Sequence, residues 1–156
     1  MADDFIKLSG LKELDTKLAA MDKKVGFKTL RSAMMEASKP MFLTARNNAQ
    51  ATGVKNFDAG ATAAAMGRWT KKIKERRTVL FLGPKNKAKK AVNLWNQKHG
   101  TSAVRLNHFH LVEFGSVRGP AQPFLRPAFD AHKVSVARNF GKVLARQIEK
   151  ASGRAT

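Results

Sequence analysis

Two histidines and a glutamate, His108, His110 and Glu113, fall within one short segment. Imidazole and carboxylate groups carry protons and bind metals, so this spacing is the first place to look for chemistry. On a helix, at about 100° per residue, the histidines point about 200° apart and cannot share an ion; on a strand they could. No further ligand accompanies them, and the chain has no cysteine. A metal site is therefore not expected, and no cofactor is expected either. Ser116 follows Gly115 but lacks the glycine-flanked elbow of a nucleophile, and Glu113 and Asp130 are the only carboxylates near these histidines. No phosphate-cradling glycine loop is present. His99 and His132 stand alone and read as structural. These residues do not predict an enzyme.

Charge carries the stronger message. Lys and Arg number 30 against 11 Asp and Glu, a formal net charge of +19. Such a field calls for a polyanionic neighbour, nucleic acid or an acidic protein surface. The excess is uneven: ten basic residues and one acid fall in residues 68–90, and six basic residues and one acid in 131–156. Lys71, Lys72, Lys74, Arg76 and Arg77 form one cationic group, and Arg138, Lys142, Arg146, Lys150 and Arg154 recur every four residues in the other. Trp69, Phe81 and Trp95 look like core anchors, so non-specific attraction to phosphates is expected rather than base stacking. No apolar run reaches the length of a membrane span, and no membrane partner is expected.

The elements that would position these groups follow from apolar spacing. Phe5–Leu8 suggests a short strand, and Ser9 a cap for the helix bearing Leu11, Leu14, Leu18 and Met21. Gly26 should break that helix. A second helical pattern runs from Phe27 to Ala45, with a kink or junction at Pro40. Residues 51–67, rich in Ala, Gly and Thr, read as a mobile loop or at best a poor surface helix at Ala61–Met66. Trp69 to Lys85 reads as a hairpin ended by Gly83-Pro84, with Trp69, Lys71, Ile73 and Glu75 on one face of its first strand. A helix from Asn86 to His99 with Ala88, Val92 and Trp95 on one face should stop at Gly100, and Thr101–Asn107 suggests another strand. After Pro127 a long helix carries Phe129, Val136, Phe140, Val143, Leu144, Ile148 and Ala151 along one side.

Residues 108–129 organise the rest. Phe109, Leu111, Val112 and Phe114 form an apolar segment closed by Gly115. Gly119, Pro120 and Pro123 keep the next stretch extended and irregular, before a second apolar pair, Phe124 and Leu125. Pro127 suits the first turn of the helix that follows. Glu113 is expected to pair with an arginine, Arg126 or Arg118, of its own or an adjacent subunit. Two apolar anchors would then flank a rigid loop.

Glu113-Phe114-Gly115, followed by Pro123-Phe124-Leu125-Arg126-Pro127-Ala128-Phe129, resembles the signature of a family of bacteriophage tail components, the tail-completion or tail-terminator proteins of the neck. A weaker likeness covers the N-terminal helices, Gly67-Arg68-Trp69 and the C-terminal helix. The resemblance implies a virion structural protein, assembled in the host cytoplasm and built into a homo-oligomeric ring. It implies a hexamer first and a dodecamer as the alternative. The implied neighbours are the tail tube protein, the head-completion or connector proteins, and genomic DNA in the lumen. Glu113, Phe114, Gly115, Pro123, Phe124, Leu125, Arg126, Pro127 and Phe129 would then be motif or subunit-interface residues. Lys71, Lys72, Lys74, Arg76, Arg77, Arg138, Lys142, Arg146 and Lys150 would line the lumen or meet acidic partners. The competing reading is a small non-virion protein that binds nucleic acid non-specifically.

The expected architecture is one α+β domain over residues 1–156: N-terminal helices in 1–50, a loop in 51–67, a small antiparallel sheet with an inserted basic helix in 68–115, and a proline-rich loop and long helix in 116–156.

Overall fold

A computed structural model describes residues 11–21, 23–52, 59–74, 77–85, 89–100, 109–117 and 119–152. The fold is α+β, mostly helical, with one two-stranded antiparallel sheet and a long C-terminal helix. Its elements are α1 (Leu11–Ala20), α2 (Lys23–Ala37), α3 (Lys39–Gln50), α4 (Ala59–Ala65), β1 (Met66–Lys74), β2 (Arg77–Pro84), α5 (Lys89–His99), α6 (Phe109–Phe114) and α7 (Leu125–Ser152). They divide into two compact units, and the β1–β2 hairpin and α7 each contribute to both. The strands suggested at Phe5–Leu8 and Thr101–Asn107, and Ser9, lie outside the described residues.

The first unit comprises 1–40, 70–80 and 132–156. Its core is Ala33, Leu144 and Ile148, with Leu14, Leu18, Met21, Leu30, Phe140 and Val143 packed against them. This is the apolar stripe of α7 meeting the stripes of α1 and α2, as their spacing requires. Gly26 does not break a helix: it lies inside α2. A Cβ there would stand 3.3 Å from the Leu18 carbonyl oxygen, so the missing side chain lets α2 pass close to α1. The junction near Pro40 falls at Ser38, between α2 and α3, and Pro40 occupies the first turn of α3, where its missing N–H is harmless. Ser38 is fully buried; its N–H donates to the Met34 carbonyl and its hydroxyl to the Met35 carbonyl.

The second unit comprises 41–69 and 81–131. Its main core joins Ala45 and Ala49 of α3, Ala63 of α4, Met66, Val112, Phe124 and Ala128, with Phe42, Leu82, Phe109 and Leu125 at the edge. The alanines bring backbones close, and Phe124 is the largest fully buried side chain among the described residues. A second cluster holds Ala61, Ala65 and Val92, covered by Trp95. Trp69 and Phe81 stack across the hairpin with ring centroids 5.6 Å apart. Gly67 leaves room for the Lys85 side chain, whose ammonium lies over the Trp69 ring.

Helix α4 corrects the expectation of a mobile loop or poor surface helix for the described part of residues 51–67. Ala61, Thr62, Ala63 and Ala65 are all buried. Its small side chains show no period because it is covered on several sides, so pattern could not reveal it. Gly60 sets the approach of α5. A Cβ there would fall 2.2 Å from Trp95 Cζ2. Trp95 is held in turn by a stack on His99, whose Nδ1–H donates to the Trp95 carbonyl. Gly60→Ala is therefore expected to destabilise. The helix-propensity gain of up to about 1 kcal/mol is outweighed by overpacking of about 1–3 kcal/mol. A lower urea midpoint checks it; an unchanged or higher midpoint would mean that Trp95 swings aside freely.

Helix α5 ends at His99, and Gly100 follows with φ +64°, the left-handed stop expected from its sequence position. Along α7 one expectation fails. Phe129, read as part of the buried stripe, is 55% exposed, and its neighbour Ala128 is fully buried instead. The stripe was set by the far end of the helix, whereas the first turn is oriented by contacts described next.

Candidate functional site

Residues 109–129 fold into one device. Phe109–Phe114 form a single helical stretch, and Gly115 ends it with φ +85°. A Cβ on Gly115 would meet the Ala121 nitrogen at 3.0 Å, so glycine is needed for both conformation and space. The loop then closes on itself. Ser116 N–H donates to Gly119 O, Gly119 N–H donates to Ser116 O, and Gln122 N–H donates to Val112 O at 2.8 Å.

Glu113 locks this loop to α7. Its side chain is buried, at 4% exposure. Oε2 accepts the Phe124 and Leu125 N–H groups, each at 2.9 Å, and Oε1 accepts the Arg126 N–H at 2.8 Å. A helix beginning at Leu125 leaves four N–H groups without intrahelical partners, those of residues 124 to 127. Three go to Glu113, and the fourth does not exist because residue 127 is proline. Phe124 cannot cap a helix with its own side chain, so a carboxylate eleven residues earlier does so. Its negative charge also faces the positive end of a 28-residue helix. From α3, the Asn48 side-chain amide donates to the Phe124 carbonyl, tying down the same corner.

This is not the ion pair expected with the Arg126 side chain. Glu113 meets Arg126 through the backbone N–H. The Arg126 guanidinium lies 5.5 Å from the Phe114 ring centroid, a cation–π contact. Arg118 lies outside the described residues. Glu113 and Phe124, expected among interface residues, act inside their own chain because both are buried. Leu125 is half-buried at the edge of the same core, Gly115 closes α6, and Pro123 and Pro127 border the helix start. Phe114, Arg126 and Phe129 face outward.

The cationic residues fall in the other unit. Lys71 and Lys72 are exposed on β1, and the Lys72 ammonium sits 5.9 Å from the Phe27 ring. Arg138, Lys142, Arg146 and Lys150 are exposed on α7. Arg146 is not spare charge. Its guanidinium pairs with Glu36, whose other oxygen accepts from the Gln147 amide at 3.0 Å. Hydrogen bonds from Arg146 and then Gln147 hold the Glu36 carboxyl below its ordinary pKa. The stabilisation this lends is present above the ordinary carboxylate range and is lost as pH falls through the lowered value. Both side chains are well exposed, so the pair contributes little. Arg76, Arg154 and the side chains of Lys74 and Arg77 lie outside the described residues.

His110 is exposed on α6, and His108 lies outside the described residues. Among the described residues no three His, Cys, Asp or Glu side chains gather to hold a metal ion. A groove of about 330 Å³ at the start of α7 is lined by Asn48, Ala51, Thr52, Gln122, Pro123 and Pro127, none of them a general acid or base. Among the described residues no helix is long and apolar enough to cross a membrane.

The internal cap was the functional feature least visible in the sequence. The clue was a missing group: a proline in a helix first turn, preceded by a phenylalanine where a capping side chain belongs. That arrangement requires an acceptor from elsewhere, and Glu113 is the nearest carboxylate that precedes the helix. No protein-family model, curated protein or solved structure matches this chain.

Proposed function

We propose that this protein is a structural component of a tailed bacteriophage neck, forming a ring that completes the tail and joins it to the head around the DNA channel. The observation that supports the reading is that the two stretches resembling the neck-protein signature are tied by hydrogen bonds into one corner. Glu113, which opens the first stretch, caps the helix that the second begins. A fixed corner of this kind presents Phe114 and Phe129, 69% and 55% exposed, at constant positions. Identical copies repeating around an axis need such invariant contacts. The ring would be a hexamer or a dodecamer, set between the tail tube and the head-completion or connector proteins.

The net charge of +19 supports a polyanion within or beside the ring. Exposed Lys71, Lys72, Arg138, Lys142 and Lys150 are the candidates to face DNA or acidic neighbours. The same charge supports the second reading, a non-virion protein binding nucleic acid non-specifically. The two separate by where the protein is found. Purified particles should contain it in a fixed copy number at the head–tail junction, by quantitative mass spectrometry and labelled electron microscopy. Its absence from particles, with steeply salt-dependent binding of the monomer to duplex DNA, would favour the second reading.

A further inference from the structure

Around the capped corner, four outward side chains make a continuous patch within one unit. Leu111 and Phe114 lie three residues apart on α6, 40% and 69% exposed. Arg126 and Phe129 lie three residues apart on α7, and the Arg126 guanidinium over the Phe114 ring joins the two rows. Large apolar groups gathered around a cation on a rigid base mark a contact surface.

Charge decides what can cover it. Beyond residue 22 the chain holds 27 basic residues and 6 acids, so a second copy presenting that surface would mostly bring cations to Arg126. Residues 1–22 are the exception, with five acids and three basic residues. Within them, Asp3-Asp4-Phe5-Ile6-Lys7-Leu8 sets two carboxylates directly before three apolar side chains. We propose that this segment of one copy docks on the Leu111–Phe114–Arg126–Phe129 patch of the next. Its carboxylates face Arg126, and Phe5, Ile6 and Leu8 cover the apolar side chains. Only Ser9 and Gly10 separate this segment from Leu11, where α1 begins, a span of about 10 Å, so the joint also brings the start of α1 close to the neighbour's patch. Segment and patch are different surfaces, so the contact is head-to-tail, the type that closes into a ring when its rotation divides a full turn. The inference rests on the ring reading and supplies its joint.

Because the chain has no cysteine, a directed cross-link is clean. Full-length Phe5→Cys protein is mixed with size-tagged full-length Phe129→Cys protein and mildly oxidised; a disulfide needs the two Cα atoms within about 7 Å. The mixed dimer should form at least about tenfold more than with Leu94→Cys, an exposed α5 position outside the patch. Arg126→Glu should weaken assembly about tenfold or more, and Asp3→Lys with Asp4→Lys on the same chain should restore it. The mass of the unsubstituted protein is measured in parallel. Rings that form without the preferred mixed dimer would overturn the joint and leave the ring reading standing. No assembly at all would overturn both. A doubly substituted chain that cross-links within one molecule, with no mixed dimer, would overturn docking between copies.

Discussion

Glu113→Ala should lower stability by on the order of 3 kcal/mol, a large effect for a single carboxylate. Three N–H groups lose their acceptor at once, and at least the Phe124 N–H is buried where water cannot replace it. An ordinary helix cap contributes about 0.5–2 kcal/mol through one or two bonds. Here one carboxylate serves three donors at the positive end of a long helix, so the loss should exceed that range. Glu113→Gln keeps the shape but turns an NH2 group toward donors, and should lose about half as much. Glu13→Ala, which removes an exposed carboxylate from α1, should change stability by less than about 0.5 kcal/mol. Urea unfolding followed by circular dichroism measures all three. Equal midpoints for Glu113→Ala and Glu13→Ala would contradict the capping role.

Phe124→Ala should cost about 3–5 kcal/mol, the range for emptying a well-packed aromatic site. Phe124 is 1% exposed and touches a core otherwise made largely of alanines, which have no longer side chains to fill the gap. Phe124→Leu, which keeps most of the apolar bulk, should lose less than half as much. The same variants distinguish an internal anchor from an interface residue. If Phe124 acted between copies, Phe124→Ala would leave the unassembled protein's unfolding midpoint unchanged and alter only association. A large drop in the midpoint at low protein concentration is the expected result. Phe129→Ala should behave in the opposite way, with little change in the midpoint, because Phe129 is mostly outside the core.

The parts of the fold that could be read from the sequence are those in which one periodicity dominates. Leu14 and Leu18, and later Phe140, Leu144 and Ile148, mark faces that pack into one core where the spacing places them. The hairpin was legible from Val79-Leu80-Phe81-Leu82 and the Gly-Pro end. Helix α4 was not, because a segment of Ala, Gly and Thr has no face to detect, and its burial depends on Trp95 arriving from α5. Helix α6 was ambiguous for a different reason: a six-residue segment with four apolar residues suits strand or helix equally. The candidate site was half legible. Its residues stood out, but the role of Glu113 depended on a long-range partner. Arginine was the obvious choice on charge, whereas the backbone N–H groups of a proline-started helix were the stronger demand.

The proposed ring rests on one physical claim: a carboxylate-capped corner holds exposed apolar side chains firmly enough for identical copies to join around an axis. The most direct test is the mass and projected image of the assembled full-length protein at near-physiological salt. The account predicts closed annular particles with a central opening and a mass six or twelve times 17.2 kDa. A single 17.2 kDa species at every concentration and salt, with or without DNA, would contradict it.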